Sequence, residues 1–226
     1  MPNGSANHVP YKSWKPDDPL SAVITFKEIL NQRRSIRSFS TREVPLEIIE
    51  TVIAAAGTAP SGANKQPWRF VAICDPELKR AIREGAEAEE KMFYAQRASE
   101  DWLRDLEIIG TDEHKPFLEE APWLIVVFKL MKDDREDVPS DRVYYVNESV
   151  GIAVGMLLAA AQHAGLATLT HTPSPMRFLG QILGRPDHER PFMLIPVGWP
   201  GKDATVPDIH RKPLSDIMVL NRGDHT

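Results

Sequence analysis

Arg33, Arg34, Ser35 and Arg37 set three guanidiniums and a hydroxyl close together, directly after the amphipathic run Ile24 to Leu30. A guanidinium offers paired, planar donors that match phosphate oxygens. Such a cluster repels itself unless an anion or acidic neighbours lie beside it. Taken alone it reads two ways, as a solvated basic helix end or as a clamp for one phosphate. Two other stretches bear on the choice. Thr58 to Trp68 is rich in small residues and carries two prolines and a glycine. It reads as a loop, and Pro60-Ser61-Gly62-Ala63 within it offers backbone donors that can approach a flat ring. Thr170-His171-Thr172-Pro173 ends an apolar run with hydroxyls, a usual place for ligand contacts.

Other chemistries find less support. There is no phosphate-binding lysine loop and no G-x-G-x-x-G after a strand, so nucleoside triphosphates and dinucleotides are poor fits. Gly151-x-x-x-Gly155 lies inside a helical pattern, where it permits close packing. His114, His163, His171 and His188 are scattered without a nucleophile partner, which argues against a Ser/His or Cys/His hydrolase. His163 reads as a satisfied histidine of the core. The single cysteine, Cys74, excludes an internal disulfide and reads as a buried, inert thiol. Zinc-ligand spacing is absent, and no metal is expected. A net charge of -5 argues against a general nucleic-acid binder.

These residues must be positioned by a sizeable core, and 226 residues with 42% hydrophobic content supply one. Residues 1–20 read as an N-terminal arm and 21–226 as a single domain. Ile24 to Arg33 has helical spacing. Ser40-x-x-Glu43 resembles a capping box, with Pro45 marking the helix proper, and Leu46, Ile49, Val52 and Ile53 share one face before Gly57. Trp68 to Cys74 reads as a strand, and Asp75-Pro76-Glu77 as a helix start. Residues 86–115 are charged and aromatic with little sustained apolar period, an excursion from the core that suits a mobile lid. Pro122 to Lys129 and Pro191 to Val197 are buried strands, and Leu166 to Thr170 is another. Asp133 to Asp137 reads as a solvated loop. Tyr144 to Ala164, apolar nearly all round, predicts the central core helix, and Met176 to Leu183 a short one. The order predicts an α+β layered domain. No secretory signal is visible, and the longest apolar run, Val150 to Ala161, is too short to span a bilayer. The expected compartment is reducing and cytoplasmic.

Taken together, Arg33-Arg34-Ser35-Ile36-Arg37, Gly57 to Ala63 with Gln66-Pro67-Trp68, Glu89-Glu90 with Tyr94, Asp101-Trp102-Leu103 with Lys115, Pro196 to Pro200, and Ala204 to Asp208 with Arg211-Lys212-Pro213 resemble the nitroreductase superfamily of FMN enzymes. Within it they resemble the iodotyrosine deiodinase family, from about Gln32 to Val219. The resemblance implies a central, mostly antiparallel sheet flanked by helices, an intertwined homodimer, and FMN at the dimer interface. It implies that Arg33, Arg34, Ser35, Arg37 and Arg211 bind FMN, with Arg37 and Arg211 near its phosphate. Pro60, Ser61 and Gly62 would line the flavin. Thr170, His171 and Thr172 would complete the cofactor site, with Thr172, the expected catalytic residue, near flavin N5. His171 departs from the threonine run of human-type members. Ala63 would offer its N–H to a substrate phenolate. Glu90 and Tyr94, four apart and so on one helical face, would join Lys115 in binding the zwitterion of a halotyrosine. Taken singly, each of these three reads as solvent-facing or as packing. The implied activity is reductive dehalogenation of halotyrosines, with electrons from NADPH directly or through a reductase. A general nitroreductase or quinone reductase, an enzyme making the lower ligand of cobalamin, and a non-catalytic flavin-binding protein are the alternatives.

Overall fold

The computed structural model describes residues 8–221 apart from Ile109 and Asp137, together with the backbone of Glu107. The chain divides into two compact units, Met1–Arg33 and Arg34–Thr226. In the first, helix α1 (Pro19–Asn31) begins earlier than its apolar pattern suggests. The Asp18 side chain accepts the Leu20 N–H at 3.0 Å, and Pro19 is pre-shaped for the first helical position.

The second unit is built on a four-stranded sheet in the order β1-β2-β4-β3. Its strands are β1 (Trp68–Ile73), β2 (Trp123–Leu130), β3 (Ala167–Thr168) and β4 (Glu189–Gly198). All three pairings are antiparallel, as the resemblance implies. β2 explains why its sequence reads as one continuous apolar run. Leu124, Val126 and Phe128 enter one core, while Trp123, Ile125 and Val127 enter another on the opposite face. A strand covered on both faces has no polar side to show. The first core is closed by α3 (Pro76–Met92), α5 (Phe117–Glu120) and α7 (Arg177–Ile182). The second is closed by α2 (Leu46–Gly57) and α6 (Val146–His163). Between α3 and α5 the chain makes a π-turn (Phe93–Arg97) and a short helix, α4 (Glu100–Ile108). A last helix, α8, covers Leu214–Ile217. Among the described residues no helix is long and apolar enough to cross a membrane.

Several local expectations need correction. Ser40 does not cap α2. Its hydroxyl accepts the Arg42 N–H at 3.2 Å, and the helix starts after Pro45 without a side-chain cap. Cys74 is exposed, because β1 ends at Ile73 and the thiol lies one residue beyond. His163 is the last residue of α6 and is exposed. α6 itself is buried on one side only. Gly151, Ile152 and Gly155 are exposed, and added Cβ atoms on the two glycines would meet nothing within 4 Å.

Candidate functional site

Arg34 to Arg37 do not form a helix end. Ser35 bridges Thr168 of β3 in parallel, and the Ile36 N–H donates to the Thr168 carbonyl at 3.1 Å. These residues are half-buried, which removes the solvated reading for them. Arg33 closes the first unit, its N–H donating to the Leu30 carbonyl at 3.1 Å. Next to β3 the chain continues to His171, which exchanges two backbone hydrogen bonds of 2.9 Å with Leu194 of β4. The sheet thus fixes the backbone of both Ser35–Arg37 and Thr170–Thr172.

Arg37 from the first segment and Thr170, His171 and Thr172 from the second line a cavity of about 250 Å³. Glu90, Tyr94 and Lys115 line the same cavity. Phe93, Trp102 and Leu106 complete it. The Lys115 ammonium lies 3.5 Å from a Glu90 carboxylate oxygen, with side-chain exposures of only 2% and 14%. It also donates to the Thr111 hydroxyl at 3.3 Å and to the Asp112 carbonyl. The Tyr94 hydroxyl donates to the Thr111 carbonyl at 3.2 Å. Burial disfavours charge on each of these groups. It pushes the Glu90 carboxyl upward against the pull of Lys115, and lowers the Lys115 ammonium against the pull of Glu90. Burial also lifts the Tyr94 phenol, and Glu90 adds to the effect.

Residues not selected from the sequence hold this arrangement. Glu87 on α3 accepts the Lys115 backbone N–H at 2.8 Å, and is itself paired with Arg83 at 2.5 Å. Arg97, at the end of the π-turn, donates to the Ser174 carbonyl at 2.7 Å and to Glu89 at 3.1 Å. That ties the excursion to the segment following Thr172. The Phe93 ring stacks edge-on to Trp102 at 4.9 Å and to Tyr94 at 5.6 Å. The Glu87 and Arg97 partners are set by tertiary contact and left no signal in the chain. The π-turn itself departs from regular helix, a feature frequent at functional sites.

His171 is buried, its Nε2 has no hydrogen-bond partner, and its ring meets Phe117 edge-on at 5.9 Å. Burial, with the Lys115 and Arg37 charges adding to it, holds the imidazole down to about 3. It is therefore neutral at pH 7. A second cavity, of about 400 Å³, shares Arg37 and is lined also by Ser35, Gly110, Thr205 and Pro207. The Arg34 guanidinium donates to the Pro207 carbonyl. Burial pulls the Arg37 guanidinium below its ordinary value, so an anion placed there would restore favourable charge. The two cavities meet at Arg37, and their donors suit an anionic, hydroxylated ligand beside a zwitterionic one.

Pro60, Ser61, Gly62 and Ala63 are not among the residues lining either cavity. They form a tight turn before β1, packed under Tyr144 and Tyr145. A Cβ on Gly62 would lie 3.0 Å from the Tyr145 ring and 3.1 Å from the Tyr144 carbonyl, so any larger residue would press on both tyrosines. Ala63, Asn64 and Gln66 all have positive φ, of 50°, 53° and 48°. Left-handed backbone without glycine costs roughly 1 kcal/mol per residue. The turn and the segments lining the first cavity lie along opposite edges of the sheet, β1 and β3. Trp68, next to the turn, pairs with Lys129, whereas Thr168, next to Ser35, pairs with Val197, which faces Trp123. That offset narrows toward His171, which pairs with Leu194 opposite Val126, so the separation is set chiefly by the three strand spacings between β1 and β3, roughly 14 Å at about 4.8 Å each.

Among the described residues, Asp134, His188 and Glu189 could face one metal ion. Both Glu189 oxygens already accept from Arg185, at 2.6 and 2.8 Å, and one also from Arg69 at 2.9 Å. An ion there would compete with two guanidiniums.

The chain as a whole is similar to known proteins. The nitroreductase family model matches residues 30–199. The chain is 52% identical over 214 residues to an iodotyrosine deiodinase of Haliscomenobacter hydrossis, covering 94% of this chain and 96% of that one. It is 47% identical over 219 residues to iodotyrosine deiodinase 1 of Homo sapiens, covering 95% of this chain and 73% of that one. Among solved structures, it matches oxidized iodotyrosine deiodinase bound to FMN and 3-iodo-L-tyrosine with a TM-score of 0.73 at 32% identity, covering 89% of this chain and 100% of that one.

Proposed function

The chain belongs to the nitroreductase family, and from that premise we propose that it is an FMN-dependent oxidoreductase that removes halide reductively from halotyrosines, taking 3-iodo-L-tyrosine to L-tyrosine and iodide. The observation that carries this reading is the Glu90–Lys115 pair, almost sealed from solvent beside Tyr94 and facing Arg37 and Thr172 in one cavity. A free amino acid brings an ammonium and a carboxylate on one carbon. Glu90 takes the ammonium, and Lys115 with the Tyr94 hydroxyl takes the carboxylate. A ligand bearing a single charge would break the internal pair and leave one partner buried and uncompensated, which disfavours it strongly.

The second cavity fits FMN by its donor set: hydroxyls of Ser35 and Thr205, and the Arg37 guanidinium. In this reading Arg33, Arg34, Ser35, Arg37 and Arg211 hold the cofactor, with Arg37 and Arg211 toward its phosphate. Pro60, Ser61, Gly62, Thr170 and His171 would line it, and the Thr172 hydroxyl would be the group offered to flavin N5. When bound, reduced FMN supplies two electrons, which with one proton replace the carbon–halogen bond by carbon–hydrogen as halide leaves. Those electrons come from an external donor, NADPH directly or through a reductase. Residues 86–115 act as a lid that excludes water once the zwitterion is held.

Ala63 gives its N–H to the substrate phenolate from a second copy of the chain. The placement of the Ala63 turn and the Arg37 segment along opposite sheet edges supports a homodimer, in which a second copy brings the turn to the ring. The test is anaerobic. Chemically reduced flavoprotein mixed with 3-iodo-L-tyrosine should reoxidise with release of one iodide per flavin. Reoxidation no faster than with L-tyrosine would sink the reading. Unimpaired turnover of a nitroaromatic by Glu90→Gln, with no halotyrosine turnover by the unaltered protein, would favour a general nitroreductase.

A further inference from the structure

The Ala63 turn is strained, and something outside it must hold it. Three of its residues are left-handed without being glycine. Within the turn, the Ser61 hydroxyl accepts the Gln66 N–H at 2.8 Å, and Ser61 and Gly62 carbonyls accept the Asn64 and Lys65 N–H groups at 3.0 and 3.1 Å. From outside, the turn is held by Tyr144 and Tyr145 against Gly62, by the Leu130 N–H donating to the Pro67 carbonyl at 3.0 Å, and by one side chain. Lys65 reaches across to the 131–141 loop, where its ammonium meets Asp133 at 3.1 Å and the Ser140 carbonyl at 2.5 Å. This is not a loose surface pair. The Asp133 side chain is 2% exposed and that of Lys65 11%. Asp133 is held in turn by Arg135 through Nε at 2.9 Å and Nη2 at 2.7 Å, and its own N–H donates to the Asp141 carbonyl at 2.6 Å. Arg135, first, and Lys65 keep its carboxyl well below the usual carboxylate range.

We propose that the Lys65–Asp133–Arg135 brace is a positioning device that aims the Ala63 backbone N–H at the substrate phenolate oxygen. Lys65 lies between the left-handed Ala63–Asn64 pair and left-handed Gln66, so tethering it fixes the peptide planes on both sides. The Ala63 N–H belongs to the plane just before this pair, and its direction follows from the φ of Ala63. Without the tether, Ala63 and Asn64 can relax toward ordinary backbone angles, and the N–H turns away. Neither Lys65 nor Asp133 touches the ligand. They act through the backbone.

The inference rests on the proposed reading of Ala63, and the experiment separates the two. FMN-loaded protein is titrated with 3-iodo-L-tyrosine at pH 7, and ultraviolet difference spectra give the fraction of bound ligand in phenolate form. The unaltered protein should bind it as phenolate. Lys65→Met and Asp133→Asn should each lower affinity about tenfold and raise the bound phenol's pKa by about one unit, the two being the same free energy. FMN content should not change, and Lys65→Arg should restore part of the phenolate signal by keeping the ion pair. If the unaltered protein binds the ligand as the neutral phenol, the reading of Ala63 fails and this inference with it. If it binds phenolate and Lys65→Met binds phenolate equally well, the brace is structural only and the inference alone is overturned. Loss of FMN and of melting temperature together with affinity in Lys65→Met would overturn it in the same way.

Discussion

Lys115 shows how little of a residue's role its type reveals. A lone lysine in a charged stretch is ordinarily solvent-facing, yet here it is almost wholly buried, and Glu87, Thr111, Asp112 and Glu90 surround it. Its burial follows from Phe117 and Leu118, which anchor α5 in the core just beyond it. Replacing one partner of such a pair costs about 2–5 kcal/mol in binding. Lys115→Met should therefore weaken 3-iodo-L-tyrosine binding by on the order of 100-fold, read from quenching of FMN fluorescence. Binding of 2-iodophenol, which has no zwitterion, should hardly change, and an equal loss for both ligands would refute the assignment. His171 offers a test of a different kind. Its folded pKa of about 3 lies below the ordinary 6.5. Between those values the unfolded chain binds the proton and the folded one does not, so stability falls as pH falls below about 6.5. From pH 7.5 to pH 5 the loss is about 2 kcal/mol. Glu90, pushed upward by burial, works in the opposite direction. Urea midpoints at pH 7.5 and pH 5 should therefore be compared with those of His171→Gln, which should lose much less on acidification. Equal acid sensitivity of the two proteins would mean the imidazole is not buried neutral.

At the scale of elements, the legible parts were those governed by burial. The runs ending in β2 and β4 are apolar because both faces of each strand are covered, and Asp75-Pro76 opens α3 as its residue types predict, the carboxylate accepting the Leu78 N–H at 2.9 Å. The illegible parts were those governed by partners far along the chain. Asp133 reads as one of a run of solvated acids, and becomes a buried anchor only because Lys65 and Arg135 converge on it; Asp137 lies outside the described residues. Ala63 and Gln66 give no sign of left-handed backbone, and Asn64, a residue type that tolerates it, gives only a weak one. The excursion was visible as a break in apolar period, but its closure was not. That closure depends on Arg97, which joins the π-turn to Ser174. Arg97→Ala removes partly exposed contacts worth about 1 kcal/mol. Amide exchange across residues 93–106 should rise several-fold in the absence of ligand and fall back when 3-iodo-L-tyrosine is added. FMN retention should be unaltered, and unchanged exchange would show that the segment is held by its aromatic stack alone.

At the scale of the whole molecule, the proposed site draws on two opposite edges of the sheet. Glu90, Tyr94 and Lys115 stand with Arg37 and Thr172, while the Ala63 turn stands at the far edge beside β1. α6 leaves Ile152 exposed between two open glycines, and Leu214, Ile217, Met218, Val219 and Leu220 near the C-terminus are exposed as well. Apolar surface of that kind is what a second copy would cover. Two variants decide whether sites are shared. Lys115→Met damages the zwitterion side, and Gly62→Val damages the turn by forcing side-chain atoms against Tyr144 and Tyr145. Each alone should be nearly inactive in deiodination. Co-expressed in equal amounts, half of the dimers are mixed, and each mixed dimer has one site in which both defects meet and one that is intact. Activity should return to about a quarter of the unaltered level in a closed two-fold dimer. A site contained within one chain admits no such rescue, because every copy then carries one defect. Recovery near zero, with both variants folded and FMN-loaded, would place the whole site in a single subunit.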